Sequence, residues 1–492
     1  MSESSPPRTA PSRTRPVGTP AGGVLLRSLT GLLARWLPSR RWYAGKGRPP
    51  GGLTLLSATE LLPCTAGPQP GLLHLLVRVG PPGPRIAPVP VGPPGTPTGS
   101  RGEEDGDCYQ LLLGVRPSLP SHLADAFVGI PAEGPLRGRA VYEALEDPRL
   151  VTLLLERLRA PGALGALRFE RAPDADIPSG LPGRLLGAEQ SNSSVVYGNS
   201  HILKLFRRVS PGINPDLELS LALAEEGSTR VPPPAAWFEA ELPGASEPLT
   251  LGVLQPFLAG SRDGWHLALT SLEHRTDFES CARDLGVATA EVHTALARAL
   301  PTGVLRRPQL EQAAAEMSQR LDAAAAAVPA LRPHRAELRR TFDAVAEYGR
   351  RGGRLAAQRI HGDLHLGQVL LHEDRWSLID FEGEPARPLA ERRSPQPTIR
   401  DVAGMLRSFD YAAAQHPDPG PRGRRWARLC REAYCRGYAE GGGRDPLERP
   451  ELLRAWETDK AVYEVLYEAR HRPAWLHVPM AAIRRLAEEA AA

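Results

Sequence analysis

Residues 359–381, which read RIHGDLHLGQVLLHEDRWSLIDF, most constrain the fold, because they interrupt a long series of helical patterns. Two short apolar runs in this segment, QVLLH and WSLIDF, have the length and composition of β-strands. The chain from Asp277 to Tyr348, and again after this segment, is rich in helix-forming residues at helical spacing. The sequence therefore predicts a strand hairpin inside a mostly helical region.

The chain before this helical region has a mixed pattern. Apolar runs at 71–79 and 108–115 predict strands, and leucine spacing predicts a helix over 139–159. A polar turn is expected at 190–194 between two strands, followed by a helix over 214–225. A mixed part followed by a helical part predicts a bilobal α+β fold.

The length of 492 residues agrees with two or three domains. A tail of Pro, Ser, Thr and Arg is expected to be disordered, and the Pro- and Gly-rich residues 80–107 predict a long loop. The expected divisions are the tail, a small first domain, a mixed lobe and a helical lobe, at residues 1–23, 24–130, 131–257 and 258–492.

The composition disfavours several classes of protein. A net charge of +4 gives no basic surplus for binding nucleic acid. No run of about 18 apolar residues and no secretory signal are present, so we expect neither a membrane span nor export, and the cytoplasm is the predicted location. The five cysteines are scattered, which predicts reduced thiols rather than disulfides or a zinc site.

His361, Asp363 and His365 allow two interpretations. They alternate along an extended segment like the metal ligands of a hydrolase, since alternate residues of a strand share a face. The other histidines are dispersed and do not complete such a shell, which disfavours hydrolysis. In the second interpretation, Asp363 and Gln368 match the His-x-Asp-x-x-x-x-Asn loop of phosphotransferases, with Gln in place of Asn.

Phosphoryl transfer requires a residue that accepts or orients the hydroxyl proton, oxygen ligands for Mg²⁺ and a lysine for the phosphates. Asp363 is the predicted base. Gln368 and Asp380 are predicted to hold Mg²⁺, and Glu382 is a further candidate ligand. The order of these residues along the chain is the one that a kinase requires.

The phosphates of ATP are expected to bind to the mixed lobe. Lys204 lies in an apolar strand and is one of only three lysines, and Glu218 in the following helix is its expected partner. Ser191, Ser193 and Ser194 of the polar turn are expected to cover the phosphates. No Walker-type Gly-x-x-x-x-Gly-Lys-Ser/Thr sequence occurs, which excludes a P-loop fold.

Together with RRWYAGKGRP near the start, IRDVAGMLRSFDYAA and DKAVYEVLYEARHRPAWLHVP, these motifs resemble the bacterial maltokinases, relatives of the aminoglycoside phosphotransferases with a eukaryotic-kinase-like fold. The resemblance covers the chain from about residue 24 to its C-terminus. It implies an N-terminal cap subdomain, transfer of the ATP γ-phosphate to the anomeric hydroxyl of maltose, and maltose 1-phosphate for α-glucan (glycogen) synthesis. It also implies trehalose synthase as a partner in some members.

Related glucosamine kinases are expected to read Asp-Phe-Asp-Gly-Asn-Pro where this chain has DFEGEP, which favours maltose. We expect the sugar beside Asp363, with Tyr463 and Tyr467 on one face of a helix; the same tyrosines would also suit a half-buried helix core. Within the RRWYAGKGRP block, Trp42 is expected to pack, and Lys46 is not placed in the catalytic site. The remaining candidates are His365, Trp265, Arg400, Asp401, Lys460 and Glu468 for the sugar, and Gln255 and Phe257 for the nucleotide.

Three function classes remain. The first is an active sugar kinase for maltose, or alternatively for glucosamine or another sugar. The second is a non-catalytic kinase-like partner of trehalose synthase, which would be expected to lack a lysine or a carboxylate of the set. The third is an antibiotic phosphotransferase, which would be expected to have an acidic pocket for polycationic drugs, unlike the GEPARPLAERR segment.

Overall fold

The computed structural model describes residues 20–45, 47–65, 67–80, 106–187, 191–385, 387–415 and 420–491. Most of the predicted tail, the predicted loop from 81 to 105, Lys46 and the start of the predicted turn at Gln190 lie outside these residues. The chain divides into two compact units, Met1–Leu217 with Pro234–Ala259 and Glu218–Pro233 with Gly260–Ala492. The expected division near residue 130 stays a prediction.

The first unit contains two antiparallel sheets flanked by helices. Its strands are β1 (Leu53–Leu62), β2 (Gly71–Val79), β3 (Asp107–Arg116), β4 (Phe127–Gly129), β5 (Ala140–Glu143), β6 (Gly162–Leu164), β7 (Leu167–Arg171), β8 (Gly183–Leu185), β9 (Asn192–Tyr197), β10 (His201–Phe206), β11 (Arg208–Val209), β12 (Ala236–Ala240) and β13 (Leu249–Pro256). Its helices are α1 (Pro20–Trp36) and α2 (Pro148–Arg159), and α3 (Pro215–Glu225) begins in this unit and ends in the second.

The two sheets of the first unit are joined through β3. The first sheet has the order β1-β2-β3-β5-β4, with β11 also paired to β3, and the second has the order β6-β7-β12-β13-β10-β9-β8. The side-chain amide of Gln110 on β3 donates to the carbonyl oxygens of Phe206 and Leu251, which lie in the second sheet. Gln110 also contacts His74, whose pKa is lowered to about 4 by burial, so the imidazole is neutral. This buried polar contact fixes the two sheets against each other.

Two local predictions for this unit were wrong. The segment 139–159 is not one helix, because it begins with β5, and α2 starts only at Pro148. Asp147 accepts a hydrogen bond from the Arg149 N–H and Pro148 occupies the first helical position, which together define the helix start. The predicted turn at 190–194 was also too long, since β9 already begins at Asn192.

The second unit is mostly helical. Its helices are α4 (Gly264–His274), α5 (Glu279–Ala299), α6 (Arg307–Ala327), α7 (Arg335–Arg350), α8 (Leu389–Arg392), α9 (Ile399–Gln415), α10 (Pro421–Glu440), α11 (Pro450–His471) and α12 (His477–Ala491). Its short strands are β14 (Arg262–Asp263), β15 (Gly303–Leu305), β16 (Leu355–Ala357), β17 (Val369–His372) and β18 (Arg375–Leu378). The hairpin predicted within 359–381 is therefore present as β17 and β18, which pair antiparallel.

Helices α5 and α10 pack with their backbones in close contact. A methyl group on Gly437 would lie 1.9 Å from the Arg283 carbonyl oxygen, and one on Gly286 would lie 2.2 Å from the Tyr434 carbonyl oxygen. Only glycine fits at both positions, because no side chain is small enough for this separation. The crossing lies within the main apolar core of the unit, to which Leu285 and Tyr434 also belong.

Among the residues that the structure describes, none of the helices combines the length and the apolar character that a transmembrane span requires.

Candidate active site

A buried carboxylate, that of Asp401, holds the loop that carries Asp363. One oxygen of Asp401, in the first turn of α9, accepts from the His361 N–H at 2.8 Å, and the other accepts from the Gly362 N–H at 2.9 Å. Gly362 has φ +85°, a conformation that favours glycine. Asp401 is 1% exposed. Its hydrogen bonds favour a role in positioning the loop over the predicted contact with sugar.

Asp401 is itself tied to two further helices. His293 Nε2 on α5 contacts Asp401 Oδ2 at 3.0 Å, and His293 Nδ1 contacts the Tyr438 hydroxyl on α10 at 2.8 Å. Burial alone would raise the pKa of Asp401, but these contacts and the backbone donors lower it below its usual value. His293 and Tyr438 could not be recognised as partners of Asp401 from the sequence, because they lie far from the motif along the chain.

The candidate metal ligands flank the β17–β18 hairpin, with Gln368 just before β17 and Asp380 shortly after β18. Gln368 ends the single helical turn Leu366–Gln368, which His365 caps by accepting the Gly367 N–H on Nδ1. The Gln368 side-chain amide donates to Asp380 Oδ2 at 2.8 Å. Asp380 has φ +67°, which is uncommon for a non-glycine residue and typical of functional positions.

Glu382 also lies close to this pair. One carboxylate oxygen of Asp380 and one of Glu382 lie within 4.8 Å of each other. Two carboxylates and an amide oxygen form the all-oxygen donor set that suits Mg²⁺. The predicted metal-binding residues are therefore brought together, and their metal binding stays a prediction.

A pocket opens beside Asp363 in the second unit. The space beside Asp363, about 430 Å³, includes open solvent at the mouth of the pocket. Four basic and four acidic side chains line it: Arg320, Arg387, Arg400 and Lys460, and Asp363, Glu384, Asp401 and Asp459. Tyr463 and Trp456 supply aromatic surface. The structure thus brings together the predicted base Asp363 and four of the predicted sugar residues, Arg400, Asp401, Lys460 and Tyr463, and their contact with a sugar stays a prediction.

Lys460 joins two carboxylates in this pocket. Its Nζ lies 3.0 Å from Asp363 Oδ1 and 3.1 Å from Glu384 Oε1. Burial opposes the charge on Lys460, but the two carboxylates raise its pKa well above the usual value. Burial likewise opposes the charge on Glu384, but Lys460, Arg400 and Arg387 lower its pKa well below the usual range. Lys460 and Glu384 are therefore both charged.

Other predicted sugar residues lie elsewhere on the same unit. The described residues that line the pocket do not include Trp265, His365, Tyr467 or Glu468. Tyr467 is 37% exposed and stacks with Tyr463 at 6.3 Å between ring centres, so it continues the aromatic side of α11. Glu468 is buried and accepts from Arg472 and Tyr411, which favours a structural role. Burial lowers the pKa of His365, so its ring is neutral.

A buried network of ion pairs supports α11, the helix that carries Lys460. Arg407 on α9 contacts Glu464 at 2.7 Å, and Arg431 on α10 contacts Glu457 at 2.8 Å. Arg485 on α12 also contacts Glu457, at 2.7 Å. The network fixes α11 against three other helices, and its arginines were not recognised in the sequence because only the folded chain pairs them.

In the first unit, Lys204 is in the middle of the second sheet. Its Nζ lies 2.9 Å from Asp216 Oδ2, and both side chains are mostly buried. Asp216 lies in the first turn of α3, where a carboxylate is favourable to the helix dipole, and it was not among the predicted site residues. Glu218, the expected partner of Lys204, contacts Arg359 in the second unit. The pairing of Lys204 with Glu218 stays a prediction.

The side chains of the serines predicted to cover the phosphates do not all lie on the same face of the sheet. Ser194 pairs across the strands with Lys204 and shares its face of the sheet, whereas Ser193 pairs with Leu205 on the opposite face. Ser193 accepts a hydrogen bond from Arg207 Nε, which favours a structural role for its hydroxyl. Ser191 is exposed before β9.

Gln255 and Phe257, the other nucleotide candidates, lie near the C-terminal end of β13. Gln255 pairs with Ile202, and the Phe257 N–H donates to the Ser200 carbonyl oxygen. Both side chains are half-buried. Their nucleotide contacts stay predictions.

Comparison with known proteins gives two family matches. Residues 36–147 match the family described as maltokinase N-terminal cap domain, and residues 183–448 match the family described as phosphotransferase enzyme family. A glucosamine kinase of Streptacidiphilus jiangxiensis is 30% identical over 354 residues, which cover 67% of this chain and 78% of that protein. A glucosamine kinase of Mycolicibacterium smegmatis is 29% identical over 324 residues, with 62% and 80% covered.

A solved structure has a similar fold. It is a glucosamine kinase in complex with glucosamine, ADP and inorganic phosphate, with a TM-score of 0.63 and 22% identity over 93% of this chain and 98% of that one. Together with the family matches, it confirms the predicted kinase-like fold with an N-terminal cap and a mostly helical C-terminal region.

Proposed function

The chain belongs to the phosphotransferase enzyme family, and from this premise we propose that it transfers the γ-phosphoryl group of ATP to the anomeric hydroxyl of maltose in the cytoplasm. The product would be maltose 1-phosphate, for use in α-glucan synthesis. The maltokinase N-terminal cap domain at residues 36–147 supports this assignment over other kinases of the same family.

One observation in the pocket carries the proposal: Lys460 bridges Asp363 and Glu384. The lining has equal numbers of basic and acidic groups, and its acidic groups already accept hydrogen bonds or ion pairs from the protein. A polycationic drug would need carboxylates that are not already paired. The balanced pocket therefore supports an uncharged acceptor, and a sugar with many hydroxyl groups suits its mixture of donors and acceptors.

In the proposed reaction, Asp363 accepts the proton of the anomeric hydroxyl as the sugar oxygen forms a bond to the γ-phosphorus. The bond between the γ-phosphorus and the β,γ-bridging oxygen breaks, and ADP leaves with that electron pair. Lys460 holds Asp363 in place during this transfer. In the first unit, Lys204 with Asp216 is the proposed contact for the phosphates.

Gln368, Asp380 and Glu382 are the proposed ligands of Mg²⁺, because they form an oxygen donor set with the amide already oriented by Asp380. When bound, Mg²⁺ supplies neutralisation of the phosphate charge. The resemblance to maltokinases also leads us to propose a complex with trehalose synthase, which co-elution of the two purified proteins would test.

The function is tested by coupling ADP release to NADH oxidation with a panel of maltose, glucosamine, glucose and kanamycin. We expect maltose to have the highest kcat/KM, and the Asp363→Ala variant to lose at least ~10²-fold in turnover while it still binds nucleotide. Asp322→Asn is a matched control, because Asp322 is a partly exposed carboxylate that contacts Arg335 and Arg339 and does not line the described pocket. Unchanged turnover in Asp363→Ala would contradict the assigned base.

Glucosamine is the second candidate acceptor, because both similar proteins named above are glucosamine kinases. A higher kcat/KM for glucosamine than for maltose in the same assay would favour it.

A further inference from the structure

Glu384 is a buried carboxylate in the pocket that has no part in the reaction proposed above. It lies in the loop after Asp380 and is 5% exposed. One of its oxygens accepts from Lys460 Nζ, and the other accepts from Arg387 Nε and Arg400 Nη2, both at 2.7 Å. Charge-assisted hydrogen bonds from three cations hold this carboxylate in one position.

Lys460 connects Glu384 to the proposed base. Its ammonium is a compact charge on a flexible stem, so two acceptors are needed to fix its position, and these are Asp363 and Glu384. If the charge of Glu384 were removed, Lys460 would remain near Arg387 and Arg400 without the carboxylate that separates these like charges. Repulsion between them would then displace Lys460 from Asp363.

We propose that Glu384 is a positioning residue that fixes the Lys460 ammonium against Asp363, and that the ammonium held between Glu384 and Asp363 makes the pocket select uncharged sugars. The inference rests on the proposed function, since it assumes that a sugar hydroxyl reacts at Asp363.

The selection follows from where a sugar amine would lie. The 2-amino group of glucosamine is on the carbon next to the anomeric carbon, so an anomeric hydroxyl at Asp363 brings that group close to Lys460. In its protonated form the amine meets an ammonium that already occupies the place between Asp363 and Glu384. Like charges repel strongly in a partly buried site, whereas the 2-hydroxyl of glucose has no charge to repel.

The first experiment compares Glu384→Gln, Glu384→Asp and the control Glu391→Gln in the full-length protein. Glu391 is an exposed partner of the same Arg387, at 3.6 Å, and does not line the described pocket. We expect kcat with the neutral sugar to fall by ~10² in Glu384→Gln, with the KM for ATP unchanged, because the base is misplaced while the nucleotide site is intact. Glu384→Asp, which keeps the charge, should recover part of the loss, and Glu391→Gln should match the wild type.

Unfolding temperatures of all variants separate positioning from stability. A Glu384→Gln protein that is folded, with wild-type kcat, would overturn the positioning role. So would an equal loss in Glu384→Gln and Glu384→Asp, or a rise in the KM for ATP that matches the loss of kcat, since each points to a general structural change.

The second experiment measures the ratio of kcat/KM for glucosamine to that for glucose, below neutral pH where the amine is protonated. Lys460→Gln removes the resident ammonium and leaves Asp363 and Glu384 to accept the amine, so we expect this ratio to rise at least ~10-fold. An unchanged ratio would overturn the selectivity.

Failure of the proposed function gives a different result. A wild-type protein that prefers glucosamine to maltose would refute both maltose as the substrate and the selection of uncharged sugars. The effect of Glu384→Gln on kcat would still decide whether Glu384 positions the base.

Discussion

The carboxylate of Asp401 holds the loop that carries the proposed base Asp363, and Asp401→Asn tests this role. The wild-type carboxylate accepts hydrogen bonds from two backbone N–H groups and from His293. Asparagine has the same shape, but one of its two polar ends is an NH₂ group, which cannot accept a hydrogen bond. At least one of the two backbone donors of His361 and Gly362 therefore loses its partner.

The magnitude follows from these contacts. A hydrogen bond to a charged acceptor contributes about 1.5–3 kcal/mol, and an unsatisfied buried donor costs a further 1–3 kcal/mol, roughly. We expect Asp401→Asn to lower the free energy of unfolding by about 3–5 kcal/mol. Because the loop carries Asp363, kcat should also fall by ~10² in the fraction that stays folded.

Urea unfolding and steady-state kinetics on the same preparations measure both effects. Asp322→Asn is the control, since a partly exposed ion pair contributes less than about 1 kcal/mol. Wild-type stability together with wild-type kcat in Asp401→Asn would refute the role of Asp401 in holding the loop.

The pH dependence of stability gives an independent readout for Asp401. Its pKa is lowered in the folded protein, so its contribution is complete above the unfolded value of about 4 and is lost as the pH falls through the folded value. Asp401→Asn should remove this part of the acid destabilisation.

Three further predictions concern the support of the site and the nucleotide. Burial opposes ionisation of Glu457, but Arg431 and Arg485 lower its pKa. Glu457→Gln should therefore reduce the free energy of unfolding by about 3–5 kcal/mol at pH 7 and weaken the loss of stability below about pH 4.5. An unchanged dependence of stability on acid pH would contradict this. Gly437→Ala should destabilise the protein by at least ~1–3 kcal/mol in urea, whereas Gly52→Ala, whose methyl group meets no atom within 4 Å, should be within ~0.5 kcal/mol of the wild type. Lys204→Met should raise the KM for ATP at least ~10-fold and leave the KM for sugar unchanged, and the reverse pattern would remove Lys204 from the nucleotide site.

The parts of the molecule that sequence predicted well are those set by local pattern. The strands at 71–79 and 108–115 have continuous apolar runs, and Asp363, Gln368 and Asp380 are recognisable because their spacing is fixed by one short hairpin. The single helix predicted over 139–159 was wrong, because the apolar residues of β5 and α2 together continue one helical spacing. Only the cap at Asp147 marks where α2 begins.

Contacts between distant parts of the chain could not be predicted. Lys460 and Asp363 are separated by 97 residues, and only folding shows that Glu384 completes their contact. Asp401 was recognised as a candidate, but a sequence does not show in which direction a carboxylate points. Asp216 was passed over for Glu218 because both lie in the first turns of one helix, and register within a helix decides which side chain meets a strand.

A substitution at the close crossing of α5 and α10 would affect the distant contacts of Asp401. Gly437 is followed at once by Tyr438, and Gly286 lies two turns before His293, so the crossing holds the two partners of one hydrogen bond. A larger residue at either glycine would push the two helices apart and lengthen the hydrogen bond between His293 and Tyr438. Because His293 also contacts Asp401, the change would reach the loop that carries Asp363 from a distant helix contact.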